Sequence, residues 1–369
     1  MASYHTLPTD EQPPRSPTIQ YRHKQSRSVL ATAMLTICII TFVLQTELAQ
    51  YVQKTTQYSK PYFILYISHS CYVFMIPIQI LAEYTQLPHK TLSTALHDLI
   101  QYRVQGNHTD PMQFVIKTSL WLSVLLTLPA YIWYLSVNLT SMSSLTAIYN
   151  TGCFFAYLFS ILMLKDKLRL TKICAVLLCL IGVLTMACWP LPSEDSDIKQ
   201  AQKDKIAEWM GILVASIGAA LYGFYEVYYK KYASPSQPTV LFANTLTGTI
   251  GLITLLVLWI PFPILHMLNI ETFELPDLET FGYILAIASM SVIYNATFMA
   301  VIALVNPVFA AVGVMLTIPA VAVTDVLITG VMVPLPTIFG SLFILVGFVI
   351  LNKQVGIEEK IDQEMSIEG

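Results

Sequence analysis

Three carboxylates and one histidine stand inside long apolar runs of this chain: Glu47, Glu226, Asp325 and His69. A charge in hydrocarbon costs on the order of a few kcal/mol, so such groups either reach water at a helix end or face a polar interior and act there. Glu226 lies in "LYGFYEVYYKKY" (221–232), among five tyrosines and one turn before Lys230 and Lys231. Tyr222, Tyr225, Glu226 and Tyr229 follow the spacing i, i+3, i+4, i+7, which puts them on one helix face. At 1.5 Å per residue Glu226 is about 10 Å from the centre of its apolar run, inside a hydrocarbon half-thickness of about 15 Å. Such a carboxylate can exchange a proton or attract a solute. The structural alternative is an i, i+4 pair with Lys230, both groups snorkelling to the interface, with the tyrosines as interfacial anchors.

Glu47, in "VLQTELAQYV" (43–52), is at a similar depth, and its nearest same-face lysine is Lys54. It is either an interfacial acid or a gating and proton-accepting group. Asp325, in "VAVTDVLITG", has no basic residue near it in sequence. It is expected to face neighbouring helices, with a hydroxyl such as Thr324 as partner, or to serve gating and proton coupling. His69, between Ser68 and Ser70, is either a hydrogen-bonded packing residue or a solute or proton site.

Aromatic and amide side chains recur on single faces. Thr146, Asn150, Phe154 and Tyr157 form one such set, and Ser291, Tyr294, Asn295 and Phe298 another. Asn244 and Thr247 add a shorter one. Polar groups on such faces either glue helices together or line a site. Rings interleaved with amides suit an organic solute with a flat ring. On this reading His69, Asn150, Tyr157, Tyr222, Tyr225, Glu226, Tyr294 and Asn295 bind the solute, and Glu47, Glu226 and Asp325 gate it or carry protons.

The elements that must position these residues are membrane helices. Of 369 residues 55% are hydrophobic and only 12% charged, with mean hydropathy +0.61; a soluble domain carries about 25% charged residues. Ten segments reach the length of about 20 mostly apolar residues that a span needs: roughly 29–51, 61–82, 114–136, 141–164, 171–189, 209–230, 240–260, 279–304, 307–330 and 335–352. The first 27 residues are polar and rich in Pro, Ser and Thr, which predicts a disordered tail and no cleavable signal. The six cysteines form no C-x-x-C pair and read as small packing residues. No metal, cofactor or nucleic-acid partner is expected; the partners are a small-molecule solute and membrane lipid, and the sequence leaves a homodimer open.

Basic loop residues orient the chain. Arg15, Arg22, Lys24, Arg27, Lys165, Lys167, Arg169, Lys172, Lys230 and Lys231 fall on one side, and the acids Glu194, Asp195, Asp197, Asp204, Glu208, Glu271, Glu274, Asp277 and Glu279 on the other. Both termini are therefore expected in the cytoplasm, the membrane being an endomembrane (Golgi or vacuole-like) or the plasma membrane. A mitochondrial membrane is disfavoured, because the tail is no basic amphipathic helix.

An internal repeat is expected. "LTKICAVLLCLIGVLTM" (170–186) aligns with "PTIFGSLFILVGFVIL" (336–351), and an offset of roughly 165 matches Ile173 to Ile338, Ala175 to Gly340 and Gly182 to Gly347. At an offset of about 179 Glu47 falls on Glu226. Two halves of five helices each must be oppositely oriented, which is the inverted-repeat plan of secondary transporters. The domain plan is a cytoplasmic tail (1–28), a first five-helix repeat (29–189), a polar loop (190–208), a second repeat (209–352) and a second tail (353–369).

With that plan, the stretches "YSKPYFILYISHS" (58–70), "SLTAIYNTGCFFAYLFSILMLKDKLRLTK" (144–172) and "ALYGFYEVYYKKYA" (220–233) resemble the drug/metabolite transporter superfamily (EamA-like), in particular solute carrier family 35, its F-type branch and fungal relatives. The resemblance covers nearly all of 29–352. It implies a ten-helix carrier whose fourth helix lines a cavity, working by alternating access on a vitamin, nucleotide sugar or other metabolite, with proton coupling as an option. One departure is plain: the Gly-Ala-Leu-Asn-Lys motif of guanosine-type nucleotide-sugar carriers is absent, and segment nine reads "AAVGVMLTIPAVAVTDVL". No G-x-x-x-x-G-K-[ST] loop supports ATP-driven pumping. Without an H-x-x-x-x-D or D-D-x-x-D arrangement, an embedded transferase is the weaker rival, and the chain is not expected to be an enzyme. A non-transporting receptor or scaffold on a carrier fold is the other alternative.

Overall fold

In hydrocarbon each backbone N–H and C=O must find its partner inside the segment, so apolar stretches of this length have helix as their only open form. The computed structural model describes residues 17–86, 111–165, 169–188, 198–233, 240–304, 313–330 and 332–368. They are all-helical. Helix α1 is Pro17–Lys54; α2 (Pro61–Ser70) passes through a 3₁₀ turn (Cys71–Phe74) into α3 (Met75–Gln86); α4 is Pro111–Ser136. Then come α5 (Met142–Tyr149), α6 (Gly152–Met163), α7 (Leu170–Cys188) and α8 (Ile198–Tyr228), which ends in a π turn (Tyr229–Ala233). The rest is α9 (Val240–Val257), α10 (Pro261–Met267), α11 (Leu278–Leu304), α12 (Thr317–Thr329) and α13 (Leu335–Glu368).

Among the described residues six stretches are long and apolar enough to cross a membrane: Val29–Lys54, Pro61–Leu81, Ile116–Ser136, Met142–Met163, Trp209–Ala233 and Leu278–Val301. A seventh is the pair Ala243–Val257 and Pro261–Met267, bent by 51°. Leu170–Met186, Thr317–Ile328 and Leu335–Leu351 are shorter apolar helices. The chain is thus a multi-pass helical membrane protein. The bend has its cause in Pro261 and Pro263, which break the helical ladder behind α9. The joint between the expected segments 279–304 and 307–330 lies outside the described residues.

Several helices overshoot the apolar windows. α1 starts at Pro17, within the expected tail; α8 starts at Ile198, within the expected loop; α13 runs to Glu368, through the expected second tail. Hydropathy finds the part of a helix that lies in hydrocarbon. It does not find the end of the helix, because polar flanks rich in Gln, Lys and Glu remain good helix formers.

The longest contacts run between α1 and α11 and between α7 and α13. α8 packs on α4, α5 and α6; α9 on α2, the 3₁₀ turn, α3 and α4; α12 on α5 and α1. Ile64, Leu65, Leu145, Ile148, Phe154, Ile284, Ile287 and Ile344 centre the apolar core. At the α7–α13 crossing the backbones touch. A Cβ on Gly182 would sit 2.6 Å from the Gly340 carbonyl oxygen, one on Gly340 2.6 Å from that of Gly182, and one on Gly347 2.8 Å from that of Ala175. Small residues allow this approach, which membrane helices use in place of a hydrophobic drive.

Helix α2 lacks a cap of its own: Pro61 opens it, and Lys60 gives no side-chain cap. The Glu271 carboxylate accepts the amides of Tyr62 (3.0 Å) and Phe63 (3.3 Å) instead. Burial pushes this carboxyl up from its ordinary value, while the two amides and Lys60 pull it back. Lys60 also pairs with Glu274 at 3.2 Å, and the Tyr58 hydroxyl donates to the Glu274 carbonyl at 2.7 Å.

The Gly182 and Gly340 carbonyl oxygens met at the glycine crossing belong to backbone and cannot swing aside, although the Ile344 and Met186 side chains beside them can. Gly182→Ala and Gly340→Ala are each expected to cost about 1–3 kcal/mol. Gly282→Ala, whose Cβ would meet nothing within 4 Å, is expected to be neutral or to stabilise by up to about 1 kcal/mol. Thermal unfolding of the three variants in detergent checks this; equal shifts would refute the close crossing.

Candidate functional site

Glu226 is brought into the helix interior by the crossing of α8 with α6. A Cβ on Gly223 would lie 2.5 Å from the Gly152 carbonyl oxygen, and one on Gly152 3.2 Å from that of Ala219. The two backbones therefore meet three residues before the glutamate. This crossing falls at a break in the helix: α5 stops at Tyr149, Asn150 and Thr151 form a turn, and α6 starts at Gly152. Gly218, one turn further back, faces the Tyr149 ring, 3.0 Å from where its Cβ would stand.

Around the carboxylate stand tyrosines from three helices. The Tyr149 and Tyr222 rings lie 5.9 Å apart, as do those of Tyr222 and Tyr225. The Tyr149 hydroxyl donates to the Pro129 carbonyl at 2.8 Å, which anchors its ring to α4. From α11, Tyr294 lies 5.4 Å from Phe42 and stacks on Phe298 at 6.0 Å with an interplanar angle of 1°. Tyr149, Cys153, Tyr222, Tyr225 and Tyr294 all lie within electrostatic reach of Glu226. Each of these side chains, and Glu226 itself, is half-buried rather than buried.

The pair with Lys230, the structural alternative for Glu226, does not form among the described residues. Lys230 is exposed, no cationic neighbour bears on Glu226 among the described residues, and Lys231 lies over the Tyr232 ring at 5.2 Å. Glu226 therefore faces the aromatic cluster with no positive partner among the described residues.

The other expected residues divide. Tyr222, Tyr225, Glu226 and Tyr294 come together. Asn295 joins them through Tyr72: its amide donates to the Ser291 carbonyl (2.8 Å), while the Tyr72 and Ser291 hydroxyls share a hydrogen bond at 3.0 Å. Tyr72 in turn neighbours Tyr225 and Tyr294. His69 stacks on Tyr72 at 5.0 Å, 6% exposed, with no hydrogen bond at Nδ1, so it stands one layer behind. Asn150 sits in the helix break, its amide donating to the Thr146 carbonyl at 2.7 Å. Tyr157 is elsewhere: it is buried beneath Lys172 (5.2 Å to the ring), and its hydroxyl accepts the Arg169 amide at 3.3 Å.

Sequence reasoning missed Tyr149, Cys153 and Tyr72. The face drawn through Thr146, Asn150 and Tyr157 assumes an unbroken helix. The turn at Asn150–Thr151 re-aims everything after it, so Tyr157 leaves that face, while Tyr149 before the turn and Cys153 after it lie near Glu226. The signal was the local "NTG" (150–152), a run of turn formers inside an apolar segment.

Glu47 and Asp325 form a separate cluster. Each is 7% exposed, and they neighbour each other and Lys54. Asp325 Oδ2 accepts the Ser143 amide at 3.4 Å at the start of α5, whereas the Thr324 hydroxyl donates to the Ala320 carbonyl and not to Asp325. Lys54 reaches from the exposed rim to the Thr140 carbonyl at 3.2 Å. Neither Glu47 oxygen has a hydrogen-bond partner among the described residues.

No family model matches the chain. It is 24% identical over 335 residues to an uncharacterized transporter of Schizosaccharomyces pombe, covering 88% of this chain and 96% of that protein. It is 24% identical over 366 residues to an uncharacterized vacuolar membrane protein of Saccharomyces cerevisiae, covering 89% and 91%. A thiamine-repressible mitochondrial transport protein of Saccharomyces cerevisiae is 20% identical over 346 residues, covering 88% and 91%. The chain is thus a multi-pass membrane protein distantly related to fungal transport proteins.

A buried carboxylate with no hydrogen-bond partner among the described residues, beside a second buried acid and with Lys54 as its cationic neighbour, opposes folding. Replacing Glu47 by Met, of similar length and no charge, is expected to stabilise the protein by about 1–3 kcal/mol at neutral pH. Thermal unfolding in detergent reads the sign, and a lower midpoint for the variant would mean that a cation balances Glu47 in the folded protein.

Proposed function

We propose that the chain is a secondary carrier of the drug/metabolite transporter superfamily, akin to the F-type branch of solute carrier family 35. It moves a small organic solute by alternating access between two inverted five-helix repeats. The single observation that carries the reading is the half-buried carboxylate of Glu226 at the aromatic meeting point of α5, α8 and α11. Open space walled by rings, with one polar group to orient a guest, is the usual form of a small-molecule site.

Three features support the repeat. First, the six long spans, the bent pair and the three shorter apolar helices together account for ten crossings. Second, the offset of roughly 165 residues read from the sequence carries the two-residue turn at Asn150–Thr151 onto the turn at Met315–Leu316. It also carries the Gly182–Gly340 contact onto the Gly347–Ala175 contact, so the α7–α13 crossing is its own image. Third, packing partners exchange under the swap of halves: α1 lies along α11 as α8 lies along α4, and α1 meets α12 as α8 meets α5 and α6.

Within this scheme Tyr222, Tyr225, Glu226 and Tyr294 hold the solute, with Asn150 and Asn295 at the margins and His69 behind Tyr72. Glu47 and Asp325 form a polar cluster at one mouth. Both termini are cytoplasmic, as the basic loops favour. The membrane is an endomembrane of vacuolar type, in keeping with the vacuolar relative.

Purified protein in sealed liposomes, offered a mixture of vitamins, amines, amino acids and nucleotide sugars with and without a pH gradient, is expected to accumulate one class. Glu226→Gln is expected to lower that uptake at least about tenfold, equivalent to about 1.4 kcal/mol. Uptake untouched by the variant would move the site away from α8, and a folded protein that accumulates nothing would overturn the carrier reading.

A further inference from the structure

We infer that α10 and the loop after it (261–275) form a hinged strap, latched onto the start of α2 by Glu271 and free to swing clear when the latch opens. The strap covers that end of the bundle whether or not the chain carries a solute. It is one body. Asn269, with φ at 53°, turns the chain back on α10. The Ile270 and Glu271 amides donate to the Leu265 carbonyl at 3.0 and 3.3 Å, and the Phe273 amide donates to His266 Nδ1 at 3.1 Å. The loop is bonded to the helix it follows and moves with it. The hinge is the break at 258–260, where α9 and α10 meet at 51°. Pro261 and Pro263 offer no N–H to the turns before them. Two tyrosines of α2 take carbonyls on the near side of the break: the Tyr66 hydroxyl donates to Leu255 at 2.9 Å and the Tyr62 hydroxyl to Leu258 at 2.8 Å. The pivot is thereby pinned to α2, and the segment beyond it turns about a fixed point.

Beyond the pivot the grip is thin. No residue of α10 is buried, and Ile264, Met267, Leu268, Ile270 and Phe273 are exposed. Rings supply the apolar contact: Phe262 lies 5.1 Å from Tyr62, 5.2 Å from Tyr66 and 6.0 Å from Phe63, and Phe273 lies 6.2 Å from Phe63. The rest is polar. Glu271 accepts the Tyr62 and Phe63 amides, which the first turn of α2 leaves without partners of its own. Lys60 donates to the Thr272 hydroxyl at 2.6 Å and pairs with Glu274, and the Tyr58 hydroxyl donates to the Glu274 carbonyl. Glu274 is exposed, so its pair with Lys60 adds little. Glu271 is therefore the main latch.

Closure is also opposed. Glu271 gives up part of its water to reach α2. The Tyr131 hydroxyl, within electrostatic reach of Glu271, is buried with no hydrogen bond among the described residues. The Tyr131 ring lies 5.7 Å from Tyr62, on which Phe262 also packs. Lifting the strap returns water to both groups. The penalty for an unpaired buried hydroxyl is of the same order as the gain from a charge-assisted hydrogen bond, so the latched form is held without being locked.

Two nitroxide labels read the strap directly. In the full-length chain with all six cysteines replaced by serine, the labels are carried by Leu275→Cys on the strap and Leu139→Cys in the turn before α5, both exposed positions. Pulsed paramagnetic resonance on the protein in lipid nanodiscs gives the distribution of distances between them. The chain with Glu271 intact is expected to show one main distance, that of the latched strap. Glu271→Ala is expected to raise a second distance at least about tenfold relative to the first, as the loss of charge-assisted hydrogen bonds implies. Glu271→Gln keeps an oxygen acceptor without the charge and is expected to fall between the two; it also decides the matter if the alanine chain does not fold. A single distance common to every folded chain would overturn the strap and leave Glu271 as a fixed cap. A broad spread in place of a second distance would overturn it too, because the segment then melts instead of turning on a hinge. Neither result depends on finding a solute, so the carrier reading stands or falls separately in the uptake experiment.

Discussion

The architecture depends on one constraint: hydrocarbon leaves no backbone hydrogen-bonding group to water. That requirement makes every span a helix, and it also limits where a helix can be interrupted. The breaks at Asn150–Thr151 and Met315–Leu316, and the 3₁₀ turn at Cys71–Phe74, each keep one residue buried against other helices, namely Thr151, Met315 and Tyr72, while Leu316 and Phe74 are exposed. Each is tolerated because protein stands in for solvent. The Asn150 amide, for example, bridges back to the Thr146 carbonyl, and Gly251 of α9 comes against the backbone of Tyr72 and Val73. Irregular backbone in such a molecule marks interior, and the interior is where solute chemistry is feasible.

The glycine contacts follow from the same solvent. Side chains that are apolar on every face gain nothing by leaving lipid for one another, so association depends on how closely backbones approach. Gly152 and Gly223 draw α6 and α8 together, and that approach, more than any direct bond, determines where Glu226 points. Tyr149 is fixed independently, through the Pro129 carbonyl. The aromatic cluster is therefore built by contacts that lie outside it, and its carboxylate has no hydrogen bond among the described residues that would satisfy it in place.

Much of this was legible in the sequence, and what was not has identifiable causes. Apolar length located the helices, and the tyrosine spacing on α8 located the face of Glu226. Helix ends were misjudged at Pro17, Ile198 and Glu368, because amphiphilic flanks continue a helix beyond the hydrocarbon. Tyr157 was drawn into the site and Tyr149 left out by face arithmetic that ran through the turn at 150–151. The repeat alignment matched Glu47 to Glu226, but spatial partnership is not sequence correspondence: Glu47 meets Asp325, from a helix that starts 270 residues further on, at Thr317. No linear pattern could have joined those two acids, since α1, α5 and α12 come together only through tertiary packing.

The capping of α2 by Glu271 has a consequence for biogenesis. The carboxylate and the amides it accepts are separated by 209 and 208 residues of chain. As the polypeptide emerges from the ribosome, α2 enters the membrane long before its acceptor exists. Its first turn must therefore keep those amides in contact with water or lipid headgroups until the loop after α10 has been threaded across. The start of α2 matures late, timed by the insertion of the helices up to α10, and a chain truncated before residue 271 would leave the translocon with that turn unfinished.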